Sequence, residues 1–280
     1  MTLTLIGLGL DPNDLSIRAR EAIAASEVVL LETYTSYAAI SMEELGSIVD
    51  TEITPLTRQM VEHDDIVLER ARTKRTALLV FGDPLAATTH LELVLRARAE
   101  GIVTSIIHAP SIFSAIGESG LELYRFGLTA SLVYPRRNWL PERARDVIAL
   151  NRSIKAHSLV LLDIITGSEE FVLLDRDHEA FAGLDRSRIE HEAVSLAGEP
   201  QLLMSPNEAI RLLVFQKVLE PSDHLIVCSR LGTGSGRISR GSADELLARS
   251  FGLGPHAIVI PGELHFLESE SSPANGSESS

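Results

Sequence analysis

A single cysteine, Cys228, stands in the whole chain, which excludes an intrachain disulfide. It lies in an apolar run and reads as a buried, inert thiol rather than a nucleophile. No uninterrupted apolar run is long enough to span a bilayer. The first residues lack a basic segment leading into an apolar stretch and a small-residue cleavage site. A cytoplasmic protein is the expectation. Basic residues are scarce: 25 Lys and Arg stand against 39 Asp and Glu, for a net charge of −14. Nucleic-acid backbones select clustered Lys and Arg, so nucleic acid is not an expected partner, and neither is a membrane. The surplus acid is a solubility feature that also permits a basic protein partner. The nine histidines form neither a His-Glu-x-x-His motif nor paired ligands at metal spacing, so no metal site is expected.

What the chain does have is a series of short, continuous apolar runs. They are Leu3 to Leu8, Val28 to Leu31, Ala77 to Phe81, Ile106 to Ile107, Leu159 to Leu162, Leu225 to Val227 and Ala257 to Ile260. Such runs fit strands buried on both faces. Helical patterns lie between them: Ser16 to Ala25, with Asp14 or Ser16 as cap, Leu91 to Arg98 stopping at Gly101, Pro141 to Ala149 and Pro206 to Val218. Alternation of strand and helix predicts an α/β architecture. The pattern breaks near His108 to Gly120, the natural place for a domain boundary. Arg176 to Gln201 reads as a polar surface insertion with one strand. The segment Glu268 to Ser280 is rich in Ser and Glu and is expected to be disordered.

The candidate chemistry gathers where predicted strands end, the side on which open α/β sheets hold ligands. Gly82-Asp83-Pro84-Leu85-Ala86-Ala87-Thr88-Thr89-His90 joins a strand to a helix. Asp83 supplies a carboxylate, Pro84 stiffens the turn, and Thr88 or Thr89 is placed to cap the helix. Alone, the stretch reads equally well as a well-punctuated turn. Ile6-Gly7-Leu8-Gly9-Leu10 ends the first strand, and its glycines admit either a closely approaching ligand or a simple tight turn. Pro12 replaces the third glycine of a dinucleotide fingerprint, which argues against a nicotinamide cofactor even with Glu32 at the second strand's end. His108-Ala109-Pro110-Ser111-Ile112 follows another strand, and no carboxylate partner for His108 is identifiable from the sequence. Trp139 either lines a substrate mouth or pins a loop. Leu162-Asp163 and Ser229-Arg230-Leu231-Gly232 are later strand ends, and His256 opens the last strand.

Taken together, these segments resemble the diphthine synthase family of the tetrapyrrole-methylase-like methyltransferases. The matching pieces also include Tyr34-Thr35-Ser36, Tyr134-Pro135 with Asn138-Trp139, Leu161-Leu162-Asp163-Ile164, Asn207-Glu208-Ala209, and Pro255-His256 with Pro261-Gly262. They occur in the family's order and run almost from end to end. The resemblance implies a two-domain fold, residues 1–110 and 111–267, with a disordered tail at 268–280. It implies a homodimer that binds S-adenosyl-L-methionine between its domains. Position by position, the cofactor contacts carry over to Leu10, Asp83, Ala86, Ser111, Ile112, Leu162, Leu231 and His256. The implied substrate is translation elongation factor 2, whose target histidine already carries an aminocarboxypropyl group. The implied product is diphthine, on the path to diphthamide, with three methyl groups expected on the amine. The region Gly167 to Gln201 is longer than the family pattern. Related methyltransferases acting on a tetrapyrrole or RNA, or a non-catalytic protein that binds the same cofactor, are the alternatives.

The nucleophile in such a reaction is an amine. An α-amino group has a pKa of about 7.7–8.0, so on the order of a tenth is neutral near pH 7. Orientation and desolvation are therefore expected to carry most of the acceleration, and no catalytic acid or base is assigned from sequence.

Overall fold

A computed structural model describes residues 1–137, 139–167 and 171–271. The chain divides into two compact units. The first comprises residues 1–115, 194–199 and 232–234, and the second comprises 116–193, 200–231 and 235–280.

The first unit is built on a five-stranded parallel sheet of β1 (Thr2–Gly7), β2 (Val28–Glu32), β3 (Thr54–Leu56), β4 (Arg75–Val80) and β5 (Val103–Ile107). Its spatial order is β3-β2-β4-β1-β5. Alternate residues of β4 feed opposite faces. Leu78 and Val80 join Leu3, Leu5, Val94 and Ala97 in one core, while Ala77 and Leu79 join Ile6, Leu31, Ala19 and Ile23 in the other. That is the double burial expected of a parallel sheet. The edge strand β5 departs from it, with Val103 exposed.

Helix signals hold with local differences. Ser16, not Asp14, caps the helix Ile17–Ala24, its hydroxyl accepting from Ala19 N–H at 3.1 Å. The helix His90–Ala99 begins after Thr89, but Thr89 makes no side-chain cap bond. Thr88 donates instead to the Pro84 carbonyl at 2.6 Å. The expected threonine cap is thus corrected: the turn keeps that hydroxyl for itself. Gly101 ends the helix at a φ of 75°, a left-handed conformation that glycine adopts without a Cβ penalty.

The second unit holds a mixed sheet of β6 (Ala130–Leu132), β7 (Ser158–Leu162), β11 (His224–Ser229), β12 (Arg237–Ser242) and β13 (His256–Ile260), ordered β12-β11-β13-β7-β6. Only the β6–β7 pair is parallel. A smaller sheet orders β8 (Ile164–Thr166), β10 (Pro200–Leu203) and β9 (Glu192–Val194) as β8-β10-β9.

The helix Pro206–Phe215 opens with a reciprocal cap between Ser205 and Glu208. Glu208 also accepts from Tyr134 Oη at 2.8 Å, and Asn207 donates to the Leu247 and Arg249 carbonyls at 3.1 Å each. The Asn207-Glu208-Ala209 motif is accordingly structural. Cys228 is buried, and burial pushes its thiol up to about 12, as an inert thiol requires.

Two expectations are revised here. The stretch Arg176–Gln201 is not wholly a surface insertion, because Ala180 and Phe181 enter the core of the second unit and Leu196 packs in that of the first. The tail does not lose order at Glu268: a helix spans Phe266–Ser271. Glu268 is buried and accepts from the Glu122 and His265 N–H groups at 2.9 and 2.7 Å. Composition missed this because one buried carboxylate with fixed donors anchors an otherwise polar segment. Residues 272–280 lie outside the described residues, as does Asn138. Among the described residues, no helix is long and apolar enough to cross a membrane.

Candidate active site

In the first unit, three neighbouring strands, β4, β1 and β5, deliver five of the expected cofactor contacts to one edge of the sheet. Leu10 follows β1, Asp83 and Ala86 follow β4, and Ser111 and Ile112 follow β5. The glycines around them serve the protein itself. Gly82 N–H donates to the Gly9 carbonyl at 2.7 Å, and Gly9 N–H returns a bond to Gly82 at 3.3 Å. A Cβ on Gly7 would stand 2.6 Å from the Gly82 carbonyl oxygen, 2.7 Å from Ala109 Cβ and 3.1 Å from Pro84 Cδ. A Cβ on Gly9 would stand 2.1 Å from Asp14 Cβ. Neighbouring turns therefore pack closely against both glycines, as the tight-turn alternative requires.

Asp83 is the hub of the edge. Its Oδ1 accepts from Leu85 N–H at 2.9 Å. Its Oδ2 accepts from Ala109 N–H at 3.2 Å and lies 2.7 Å from His108 Nδ1. The carboxylate is largely covered, at 13% exposure, whereas the His108 side chain is 68% exposed. Ala87, four residues on, holds a φ of 58° without being glycine, a strained conformation of the kind that surrounding structure must impose.

Glu32, at the end of β2, faces inward. Its carboxylate accepts from the Tyr34 and Thr35 N–H groups at 2.6 Å each, and His90 Nε2 lies 3.5 Å away. His90 Nδ1 donates to the Pro84 carbonyl at 3.0 Å. A cavity of about 270 Å³ opens beside this pair, lined by Tyr34, Glu62, His63, Thr89, His90 and Arg96 among others. Nothing in the linear pattern marks it, because its walls come from three separate segments.

In the second unit, Leu162 closes β7, Leu231 follows β11 and His256 opens β13. Because β13 runs antiparallel to both neighbours, these three positions share one end of that sheet. The His256 ring is fully engaged: Nε2 donates to the Gly252 carbonyl at 3.1 Å, and Nδ1 accepts from Ser229 Oγ at 2.9 Å. Burial holds its pKa down at about 4. Its side chain is therefore a structural pin. Arg230 takes a φ of 50° and is held by the Phe251 and Leu253 carbonyls at 3.1 and 2.6 Å. The Trp139 side chain is 54% exposed, while its backbone exchanges hydrogen bonds with Arg136 at 3.0 and 2.9 Å.

Comparison with known proteins identifies the family. Residues 2–247 match the family described as Tetrapyrrole (Corrin/Porphyrin) Methylases. A diphthine synthase of Methanococcus maripaludis is 32% identical over 271 residues, covering 96% of each chain. One from Methanocaldococcus jannaschii is 31% identical over 277 residues, again with 96% of each covered. A crystal structure of a diphthine synthase superposes with a TM-score of 0.78 at 30% identity, covering 96% of this chain and 94% of that one. The chain belongs to the tetrapyrrole methylases and, within them, groups with the diphthine synthases as a methyltransferase.

Proposed function

We propose that the protein transfers methyl groups from S-adenosyl-L-methionine to the amino group of the aminocarboxypropyl-modified histidine of translation elongation factor 2, three times, to form diphthine in diphthamide biosynthesis. The observation that carries this reading is the end-to-end similarity to diphthine synthases, at 96% coverage of both chains. In this reading Leu10, Asp83, Ala86, Ser111 and Ile112 of the first unit, with Leu162, Leu231 and His256 of the second, hold the cofactor. The apolar positions would pack the adenine ring, Ser111 would meet a polar group, and His256 would offer its backbone. The bound cofactor supplies an electrophilic methyl group. The protein's own task is to hold the amine in line with it and to exclude water. A homodimer in the cytoplasm is part of the same proposal.

The test is transfer of labelled methyl from S-adenosyl-L-methionine to elongation factor 2 bearing the modified histidine. A control with that histidine replaced, a tetrapyrrole and ribosomal RNA serve as competing acceptors. Label in the modified factor alone supports the reading. Label in either of the other acceptors, with none in the factor, overturns it.

A further inference from the structure

The sequence identifies no carboxylate partner for His108; the fold supplies one 25 residues away. β4 and β5 flank β1 in the sheet, so the turns that follow them close over the end of β1 from both sides. Gly7 makes that closure possible, since a side chain there would strike the Gly82–Pro84 turn and Ala109 together. The two turns then meet through Asp83, which takes the Ala109 N–H and His108 Nδ1 on one oxygen.

A carboxylate oxygen only accepts, so the proton of the pair lies on His108 Nδ1. Nε2 is left with its lone pair on a ring that is 68% exposed. Such a carboxylate-oriented imidazole is the common form of a general base. Asp83 is the acidic group that faces His108, and its carboxylate also accepts from the Leu85 and Ala109 N–H groups. The pair lies on the turns that also carry Ala86, Ser111 and Ile112.

We propose that His108, oriented by Asp83, is the proton acceptor for the amine that is methylated. The proposal rests on the reading given under Proposed function. An α-amine enters mostly as ammonium near pH 7, and an ammonium has no lone pair with which to attack. In the proposed step one N–H bond of the ammonium breaks, its electron pair stays on nitrogen, and the proton bonds to His108 Nε2. The imidazolium then releases that proton to water through its exposed face. The first two of three successive methylations leave N–H bonds on a cationic nitrogen, so the same step recurs. Asp83 acts as a positioning residue that fixes the ring and its tautomer.

The experiment compares wild type, His108→Gln and His108→Ala for methyl transfer to the acceptor protein across pH, with cofactor affinity measured by calorimetry. Replacing a side chain this exposed leaves the core untouched. The expected result is a loss of about 10-fold in kcat/KM near pH 7, where on the order of a tenth of the amine is already neutral, with cofactor affinity unchanged. The loss should shrink above about pH 9, where the amine is neutral in solution, and added imidazole should restore part of the activity of His108→Ala. A structural role would give a loss that is constant with pH and unresponsive to imidazole. Parallel pH profiles for wild type and His108→Gln, or full activity in both variants, overturn the proposal and leave the functional reading standing. A wild type that transfers no methyl group overturns both.

Discussion

Gly9 and Gly82 exchange backbone hydrogen bonds, Gly82 N–H to Gly9 O at 2.7 Å and Gly9 N–H to Gly82 O at 3.3 Å. This antiparallel bridge fastens the end of β1 to the end of β4, whose strands are themselves parallel. Both glycines hold positive φ, 82° and 73°, so neither position tolerates a side chain without strain. The candidate active site is thus framed by backbone before any functional side chain enters it.

Gly7→Ala tests that frame. Its methyl would meet the Gly82 carbonyl, Ala109 and Pro84 at once, and backbone cannot step aside as a flexible side chain can. Overpacking of this kind destabilises by about 1–3 kcal/mol. Denaturant unfolding should show that loss, and methyl transfer should fall further than stability does, because the Asp83 and His108 turns are pushed apart. Wild-type stability and activity in Gly7→Ala would show that the close packing at this glycine is not required.

His256 should resist protonation in the folded protein. Burial holds its pKa at about 4 rather than the ordinary 6.5, so the unfolded chain binds a proton that the native chain refuses between those values. Its contribution to stability is therefore fully present above pH 6.5 and is lost as pH falls towards about 4. Nuclear magnetic resonance of the ring should give a titration midpoint near 4. A midpoint near 6.5 would mean that the ring is neither buried nor engaged by Ser229 and Gly252.

The clasp of Glu268 on His157 gives an acid-sensitive point in the second unit. Gly262 N–H donates to His157 Nδ1 at 2.8 Å, so the ring proton lies on Nε2 and is donated to Glu268 at 2.9 Å. Burial alone would raise the Glu268 pKa. The N–H groups of Glu122 and His265, with His157, outweigh it and hold the carboxyl down at about 2 against 4.5. The stabilisation is present above pH 4.5 and is lost as pH falls from there towards 2. Glu268→Gln should cost about 1–3 kcal/mol at neutral pH and remove that part of the acid slope. Equal stability in the variant at pH 7 would show that the segment after Leu264 is not anchored.

Tyr134→Phe removes one donor from a buried carboxylate while keeping its volume. Glu208 retains the Ser205 N–H and hydroxyl, so the loss should be about 1.5–3 kcal/mol, the range for a hydrogen bond to a charged group. Thermal unfolding reads it. Cofactor affinity should not change, which would separate the Tyr134-Pro135 motif's structural role from a binding one.

Much of this molecule was legible in its sequence. The apolar runs marked β1, β2, β4, β7, β11 and β13 because strands buried on both faces need little else. Edge and short strands such as β3 and β9 gave weaker patterns, since partial exposure lets polar residues in. The sequence located Asp83 and His108 at strand ends but could not join them, because their pairing depends on which strands lie beside β1. It also took Glu268 for the start of a disordered tail, because composition carries no record of donors more than a hundred residues upstream.

The most direct test of the functional account is intact mass spectrometry of elongation factor 2 bearing the aminocarboxypropyl-histidine after incubation with this protein and S-adenosyl-L-methionine. The account predicts a mass gain in three methyl steps that is absent when the target histidine is replaced. No gain, with cofactor binding confirmed by calorimetry, would contradict it.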